Sequence, residues 1–222
     1  MRPPLSAFDV AALWLGRVVL TLLGGVLLQQ TVLRLIRRVV HFPAPPVISV
    51  FLDSPLRKAL QPPEEVLTRA GLGPGMTVLE LGPGPGTFTI EAARRVGPAG
   101  RVIAVDVQPQ MLERLRAKAM RFGVDNVEVH QADAYHLPAA DGSVDVVYTV
   151  TVLPEIPDRA RALAEVRRVL KPGGLFSDSE LLLDPDWPRR RTVRGWCEAA
   201  GFRLTSENGG LLEYTLNFVR PA

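Results

Sequence analysis

The sequence predicts an α/β protein built on a doubly wound, mostly parallel, seven-stranded sheet that ends in an antiparallel hairpin. Two observations support this prediction. Between residues 76 and 201, short apolar runs alternate regularly with amphipathic runs of helical period, which is typical of a parallel sheet with helices on both faces. Beyond residue 201, two apolar runs flank Asn208-Gly209-Gly210, a sequence that predicts the tight turn of a hairpin.

The elements follow one another in a regular order. A short helix begins at Pro62-Pro63-Glu64-Glu65, because proline and acidic side chains suit a first helical turn, and it ends at Ala70-Gly71. The predicted strands span residues 76–81, 101–107, 126–130, 143–150, 174–183, 202–207 and 211–219, and the predicted helices between them span residues 87–96, 109–123, 158–170 and 192–201.

Composition limits the classes of function. The chain has 222 residues, of which 47% are hydrophobic, and this is enough for one domain and an appendage. A formal net charge of +3 is too small to predict a nucleic-acid partner. Cys197 is the single cysteine, so no intrachain disulfide is possible, and we expect no bound metal.

The first forty residues differ from the rest. Residues 10–28 are apolar apart from Arg17 and Thr21, and a helix of that length matches a hydrocarbon core of about 30 Å. Residues 1–40 are therefore predicted to form a membrane-anchoring or membrane-associated helix. Arg17 disfavours a span by about 2.5–3.5 kcal/mol, so an interfacial helix, or a soluble packing helix that forms a homodimer, stays open.

The cluster of Arg34, Arg37 and Arg38 follows this apolar run. The excess of positive charge on that side predicts that the main domain lies in the cytoplasm.

The stretch VLELGPGPG, residues 78–86, joins the first strand to the next helix. Gly82, Gly84 and Gly86 leave the backbone bare, so a ligand could approach it closely, and the following helix would present free N–H groups. The alternative is a tight surface turn. Its place after a strand and before a helix, at the edge where doubly wound sheets bind ligands, favours a binding loop.

Two acidic residues follow neighbouring strands. Asp106 ends the second strand, about twenty residues after the loop, where a carboxylate could accept both hydroxyls of a ribose. Asp133 follows the third strand, where it could bind an exocyclic amine. Asp106 could instead cap the next helix, and Asp133 could form an Asx-turn. Their occurrence at one edge of the sheet favours a nucleoside ligand.

Five stretches in order, ELGPGPG, VIAVDVQPQML, ADAYHLP, DGSVDVVYTV and EVRRVLKPGG, resemble class I S-adenosylmethionine-dependent methyltransferases. The resemblance is to the small-molecule and lipid branch that includes the ubiquinone/menaquinone methyltransferases, and it covers about residues 64–220. It implies an enzyme that uses S-adenosyl-L-methionine, with residues 64–222 as the methyltransferase domain and the proline-rich residues 41–63 as a linker and active-site cover.

The resemblance also implies roles for individual residues. Those implied to bind the cofactor are Glu80, Gly82, Gly84 and Gly86 at the methionine end, Asp106 at the ribose, Val107, Met111, Asp133 and Ala134 around the adenine, and Thr149 and Val150 near the sulfonium. For the apolar residues among them, plain core packing is the alternative.

Methyl transfer requires mainly positioning and desolvation, and a base helps only where the nucleophile bears a proton. His136, Tyr148 and Glu155 are candidate catalytic groups near the expected mouth of the site. His136 titrates nearest to neutral pH, although a histidine on a loop is more often a hydrogen-bonding residue. Glu155 could simply begin a helix.

The acceptor follows less directly from the sequence. An N-terminal membrane helix, together with the arginines of DWPRRRTVRGW between two tryptophans, residues 186–196, favours an anionic lipid surface. We therefore expect a membrane-lipid acceptor: a phospholipid head group, a quinone or another isoprenoid. A soluble small-molecule methyltransferase and a non-catalytic S-adenosylmethionine-binding module stay open. No basic stripe with interleaved aromatic residues points to RNA.

Overall fold

The computed structural model describes residues 53–222, together with Trp14, Gly16, Arg17, Thr21, Gly24 and Gly25. These six positions are helical and exposed, and the Thr21 hydroxyl donates to the Arg17 carbonyl at 2.9 Å. The rest of the predicted helix of residues 1–40, and residues 41–52 of the predicted linker, lie outside the described residues. Within the described part, no helix is both long enough and apolar enough to cross a bilayer.

One seven-stranded sheet organises the described chain, as the sequence predicts. Its order is β3-β2-β1-β4-β5-β7-β6. Strands β1 to β5 pair in parallel, and β7 runs antiparallel to both β5 and β6. The strands are β1 (Thr77–Leu81), β2 (Arg101–Asp106), β3 (Val127–Gln131), β4 (Val144–Val150), β5 (Leu170–Leu181), β6 (Arg203–Gly209) and β7 (Glu213–Val219).

Helices cover both faces of the sheet. They are α1 (Pro55–Leu60), α2 (Pro63–Arg69), α3 (Thr89–Val96), α4 (Pro109–Phe122), α5 (Arg159–Val169) and α6 (Arg190–Ala199), with a 3₁₀ turn at Leu153–Glu155. Apolar side chains of α2 and α3 pack on one face, and those of α5 and α6 pack on the other. Each set comes from one stripe of an amphipathic helix, and burial of these stripes stabilises the sheet.

Several element boundaries differ from the predicted ones by a few residues, and three of these differences affect the connections between elements. Helix α3 begins at Thr89 rather than near Thr87, so the glycine loop is two residues longer than expected. Strand β6 includes Asn208 and Gly209, which moves the hairpin turn to residues 210–212. Strand β5 begins directly after α5, because residues 171–174 form a bulge between the pairs Val144–Leu170 and Val146–Leu175; a bulge accommodates the proline and glycines there.

The topology selects one place for a ligand. From β1 the chain passes outward to β2 and β3, and it then crosses back to β4 on the other side of β1. The crevice between the carboxyl ends of β1 and β4 is therefore the topological switch point, where open α/β sheets bind ligands. The loop of residues 82–88 lies at this point.

Candidate active site

The loop after β1 has a backbone that only glycine adopts without strain. Gly82, Gly84 and Gly86 have φ values of 74°, 53° and 83°. A Cβ on Gly82 would come within 2.5 Å of a Val152 methyl group, so a side chain there would also close the crevice toward β4. Conformation and close approach therefore both require glycine, which supports the binding-loop interpretation over a plain surface turn.

Asp106 closes this loop against the end of β2. Its two carboxylate oxygens accept from the backbone N–H groups of Gly84, at 3.2 Å, and Gln108, at 2.9 Å. Burial raises the pKa of Asp106, and the backbone N–H groups oppose that shift. The residue before α4 is Gln108, so Asp106 accepts an N–H in the connection and does not occupy the N-cap position. Each carboxylate oxygen retains a lone pair for a further donor.

Glu80 lies buried one residue before the end of β1. Its Oε2 accepts from the Thr89 hydroxyl at 2.5 Å, which joins β1 to the start of α3. Burial raises the pKa of Glu80 from its ordinary value of 4.5 to about 7, and the nearby Asp106 adds to the shift. Tyr148 lies opposite Glu80 on the neighbouring strand β4.

The turn after β3 is held by Asp133. Its Oδ1 accepts from the Tyr135 N–H at 2.9 Å and lies 3.0 Å from His136 Nδ1. Burial acts to raise the pKa of Asp133, but these contacts outweigh it and hold the pKa below its usual value. The turn is thus of the Asx type that the sequence left open, and Asp133 still presents an exposed carboxylate at the crevice edge.

His136 has partners at both ring nitrogens. Nδ1 contacts Asp133, and Nε2 lies 2.9 Å from an Arg161 guanidinium nitrogen. Because a guanidinium can only donate, the consistent tautomer donates from Nδ1 and accepts at Nε2. The accepting nitrogen is therefore engaged, which disfavours His136 as a base while the Arg161 contact persists.

Tyr148 lies inside the protein rather than at the mouth. Its side chain is fully buried, and burial raises its pKa well above 10, with the neighbouring Glu80 raising it further. Neither its position nor its acidity suits proton transfer to an acceptor. Glu155 ends the 3₁₀ turn after β4 and lies close enough to Glu180 to act on it electrostatically.

The remaining predicted cofactor residues follow the crevice. Val107 is 44% exposed immediately after β2, whereas Met111 is 2% exposed in the first turn of α4, so Val107 offers the accessible apolar surface. Ala134 is buried beside the Asp133 turn. Thr149 and Val150 end β4, and the Thr149 hydroxyl donates to Asp178 Oδ1 at 2.7 Å.

Two groups of side chains at this site were not predicted from the sequence. The first is Asp178 and Glu180 on β5, which are fully buried at the carboxyl edge of the sheet. The run SDSEL, residues 177–181, places four consecutive polar residues in what becomes an interior strand of the sheet, but the sequence alone does not show that this strand is interior. The second is the set of Asp53, Arg57 and Lys58, which lie within the predicted cover of residues 41–63 but whose contacts were not predicted.

The segment of residues 53–61 is bound to the loop side of the sheet. Asp53 Oδ1 pairs with Lys118 of α4 at 2.7 Å and with Lys58 at 2.8 Å, and it accepts from the Thr87 hydroxyl at 3.4 Å. The buried Arg57 donates to the Thr151 hydroxyl at 3.0 Å. These contacts connect α1 to the glycine loop and to the end of β4.

Two of the four arginines in the basic stretch around α6 are engaged within the protein. Arg190 donates to the carbonyls of Gly209 and Gly210, and Arg194 pairs with Glu198 at 2.8 Å. Trp187 and Trp196 are half-buried against the core. This arrangement leaves less of the stretch for an anionic surface than the sequence predicts.

Comparison with known proteins identifies the domain. Residues 78–174 match the family model described as "Methyltransferase domain". The ubiquinone/menaquinone biosynthesis C-methyltransferase UbiE of Klebsiella pneumoniae is 42% identical over 106 residues, covering 47% of this chain and 42% of that protein. The arsenite methyltransferase of Halobacterium salinarum is 39% identical over 119 residues, covering 54% of this chain and 30% of that protein.

A solved structure extends the likeness to most of the described chain. The SAM-dependent methyltransferase from Aquifex aeolicus superposes with a TM-score of 0.75 at 28% identity, covering 80% of this chain and 99% of that one. The sheet domain of this chain is a class I S-adenosylmethionine-dependent methyltransferase domain. This confirms the resemblance predicted from the five sequence stretches. The matches to UbiE and to the arsenite enzyme each span less than half of those relatives' own length.

The residues of this methyltransferase domain fit S-adenosyl-L-methionine, the cofactor of its class. The glycine loop removes side chains where a ligand must meet backbone, and Asp106 retains lone pairs for two ribose hydroxyls. Val107 presents an exposed apolar side chain beside them, as an adenine ring requires. The switch-point crevice therefore combines the surfaces that a nucleoside with a charged tail needs.

Proposed function

We propose that this protein transfers the methyl group of S-adenosylmethionine to a small or lipid-like acceptor bound at the carboxyl edge of β4 and β5. The observation that supports this most strongly is the Gly84–Asp106 contact at the switch point, which holds a bare glycine loop beside a carboxylate that keeps acceptor lone pairs. The cofactor, when bound, supplies an electrophilic methyl group on a sulfonium sulfur.

The residues of the chain then bind and orient the reactants. Asp106 would accept the ribose hydroxyls, and Val107 would contact the adenine, with Asp133 and Ala134 at its edge. The Glu80 carboxylate accepts from Thr89, the first residue of the helix after the glycine loop, and so stabilises that junction. Gly82, Gly84 and Gly86 would leave room for the methionine end of the cofactor. Thr149 and Val150 would lie nearest the sulfonium. Arrangement of this kind lowers the barrier mainly by orientation and by exclusion of water.

The acceptor that we propose is a membrane lipid: a phospholipid head group, a quinone or another isoprenoid. Two observations favour it. The N-terminal run of residues 10–28 has the length and apolarity of a membrane-associated helix, and a relative 42% identical over 106 residues is named as a ubiquinone/menaquinone C-methyltransferase. The catalytic domain would then work at the cytoplasmic face, with residues 53–61 as part of its cover.

Two alternatives predict different products. If the acceptor were a soluble small molecule, the N-terminal helix would only determine where the protein is located. A non-catalytic module would bind the cofactor without turnover. Arsenite, the substrate named for one relative, is not favoured as the acceptor, because the chain has no reactive thiol to bind it. Cys197 is the single thiol of the chain, it is buried, and burial raises its pKa far above the usual range.

The test uses extract from the source cell, purified protein and S-adenosylmethionine labelled in its methyl group. The products are separated into organic and aqueous phases, unreacted S-adenosylmethionine is removed from the aqueous phase by chromatography, and the label left in each phase is counted. Label in the organic phase that depends on the protein supports a lipid acceptor, and label in the aqueous phase alone supports a soluble one. If neither phase gains label although the protein binds S-adenosylmethionine, the chain is a binding module.

A further inference from the structure

A pair of buried carboxyl groups lies at the carboxyl end of β5. Asp178 and Glu180 are two residues apart on one strand, so their side chains share a face of the sheet, and both are 0% exposed. Asp178 Oδ1 accepts from Thr149. Within residues 53–222, the other three carboxyl oxygens of the pair, Asp178 Oδ2 and Glu180 Oε1 and Oε2, have no hydrogen-bond partner.

The fold itself does not account for these acids. Each buried polar atom without a partner costs about 1–3 kcal/mol, and Phe176 on the same strand and Phe218 on β7 show that apolar side chains fill neighbouring positions. A metal site is not an explanation, because the described residues contain no cluster of three His, Cys, Asp or Glu side chains able to hold an ion. An interaction with a ligand would recover the cost.

A second observation at the same place points to a ligand. Arg57 of α1 is 4% exposed and acts electrostatically on Glu180 and Asp184, yet its Nε has no partner among the described residues. It donates to Thr151, whose backbone adopts a strained φ of 55°. Strain of this kind, with buried polar atoms left over, is typical of a binding site rather than of a core.

The charges around the pair determine what it can bind. Glu155, from the 3₁₀ turn after β4, and Asp184, from the segment after β5, both act on Glu180, and Tyr214 of β7 lies on the same side. Among the described residues, Arg57 acts on Glu180, and Arg190 acts on Tyr214. Burial raises the pKa of both acids of the pair, so their ionised forms lack stabilisation inside the protein. The region therefore favours a ligand that donates hydrogen bonds and bears positive charge.

We propose that Asp178 and Glu180 bind the amino group of the methyl acceptor, so that the substrates are amines. This inference rests on the proposed methyl transfer and narrows its acceptor. Three carboxyl oxygens without partners match the three N–H donors of an ammonium group, whereas a hydroxyl offers one donor. The amine can belong to a lipid head group or to a soluble molecule, since both present the same chemistry here.

The pair also has a part in the proton balance. An ammonium group has no lone pair, so it first gives one proton to a carboxylate of the pair and becomes a neutral amine. The nitrogen lone pair then forms the N–C bond while the S–C bond of the donor breaks and its electrons remain on sulfur. The methylated product is again a cation, and the proton on the pair leaves to solvent.

The experiment acetylates the amino groups of all candidate acceptors in the extract, so the acceptor need not be identified in advance. Extract of the source cell is acetylated with N-hydroxysuccinimide acetate and then treated with hydroxylamine, which removes acetyl groups from oxygen and sulfur but leaves those on nitrogen. A control extract receives hydrolysed reagent. Each is incubated with the protein and methyl-labelled S-adenosylmethionine, and both phases are counted after chromatography has removed the unreacted donor. We expect protein-dependent label in the control extract and its loss, by about tenfold or more, in the acetylated one.

The phase that contains the label, and the effect of acetylation on it, distinguish the possible results. Label in the organic phase assigns a lipid amine, and label in the aqueous phase assigns a soluble amine. Undiminished label in the acetylated extract would overturn the amine inference and leave methyl transfer standing. If the control extract also gains no label, the proposed function fails, and the amine inference fails with it.

Variants then test the two residues directly. Glu180→Gln keeps the shape of the side chain but cannot take a proton, and we expect methyl transfer to fall by about 100-fold, a typical loss for a group that moves a proton. Asp178→Asn should reduce it less. S-adenosylmethionine affinity, measured by calorimetry, should stay within about twofold if the acids serve the acceptor rather than the cofactor.

Glu64→Gln, on the exposed surface of α2, is the matched control, and thermal unfolding checks that each variant folds. Full transfer by folded Glu180→Gln would contradict the assignment.

Discussion

Asp106 combines a structural and a binding task in one carboxylate. It accepts from Gly84 N–H and Gln108 N–H, so it fixes the glycine loop against β2 before any ligand arrives. The same oxygens keep acceptor lone pairs at the end of β2, where the ribose is proposed to lie. Preorganisation of this kind reduces the entropy lost when a ligand binds.

The substitution Asp106→Asn tests this double role. Asparagine keeps one acceptor oxygen for the loop but loses the charge and one acceptor, so we expect S-adenosylmethionine to bind about tenfold or more weakly, because a hydrogen bond to a charged group contributes about 1.5–3 kcal/mol. Titration calorimetry measures the change. Asp141→Asn, an exposed residue paired with Arg168, is the control. Unchanged affinity in folded Asp106→Asn would remove Asp106 from the binding site.

Glu80 predicts a dependence of stability on pH. Burial raises its pKa from 4.5 to about 7 in the folded protein, so between these pH values the folded state holds a proton that the unfolded state has released. The free energy of unfolding therefore falls as pH rises from about 4.5 to 7, by on the order of 3 kcal/mol for this residue.

The variant Glu80→Gln cannot titrate at this position. The unfolding free energy of the wild type, relative to that of the variant, should therefore fall as pH rises across that range. Burial also raises the pKa of Asp178 to about 7, but Asp178 is present in both proteins, so its contribution cancels in the comparison. Urea unfolding of both proteins at pH 5 and pH 7.5 gives the two differences. Parallel pH profiles would show that Glu80 is ionised in the folded state at both pH values.

For individual residues, the sequence predicted positions at the strand ends but not the contacts and burial of the side chains. The places of Asp106 and Asp133 at the ends of β2 and β3 follow from the alternation of strands and helices. The burial of Asp178 and Glu180 does not, because an acid in a short strand pattern normally indicates a solvated face. Only the addition of β7 beside β5 makes β5 a central strand.

Among the elements, α1 has the most direct connection to function. The Asp53–Lys118 pair joins the residues before α1 to α4, and Arg57 joins α1 to the residue after β4. Since these contacts reach both sides of the switch point, residues 53–61 can cover the crevice as proposed. The sequence predicted a cover in residues 41–63 from its prolines but not the helix, because six residues are too few for a clear period.

Weakening of the Asp53–Lys118 pair should loosen this cover. In Lys118→Met the aliphatic stem remains and the charge is lost, while Asp53 keeps its pair with Lys58. We expect amide hydrogens in residues 53–61 to exchange roughly fivefold faster, since a partly buried pair contributes about 1 kcal/mol. Hydrogen-exchange mass spectrometry measures this, with Lys171→Met, at the Lys171–Asp145 pair, as control. Equal exchange in both variants would contradict the role of the pair.

The succession of strands and helices, the mostly parallel sheet and the terminal antiparallel hairpin were predictable from the sequence, but the irregular joints were not. The short apolar runs of the strands and the glycines that end the helices determine the α/β pattern. The bulge at residues 171–174 depends instead on backbone bonds between Gly173 and Arg220 and between Arg220 and Gly174. Contacts across so many residues leave no local signal, which is why the start of β5 was predicted four residues late.

For the whole molecule, the central question is how the N-terminal residues relate to the substrate. The predicted membrane helix of residues 1–40 and a lipid acceptor support each other, since a helix that holds the domain at a bilayer would bring the crevice near lipid head groups. The homodimer alternative would leave the domain away from the bilayer. The two hypotheses differ in where the protein is found.

Removal of residues 1–40 distinguishes them. If the helix anchors the domain, the full chain should sediment with membranes and the shortened chain should remain in the supernatant, because its remaining surface has a low net charge and α6 has its own acidic partners. Cell fractionation measures both, and thermal unfolding checks the shortened protein. Sedimentation of the shortened chain with membranes would refute the anchor.

The most direct test of the central claim, that this domain transfers methyl groups, is the formation of S-adenosylhomocysteine. Purified protein is mixed with unlabelled S-adenosylmethionine, with and without extract of the source cell, and the product is quantified by mass spectrometry beside Asp106→Asn. We predict that S-adenosylhomocysteine accumulates with wild type and extract together and falls to background in the variant. Tight binding of S-adenosylmethionine by the wild type without S-adenosylhomocysteine above background would contradict catalysis.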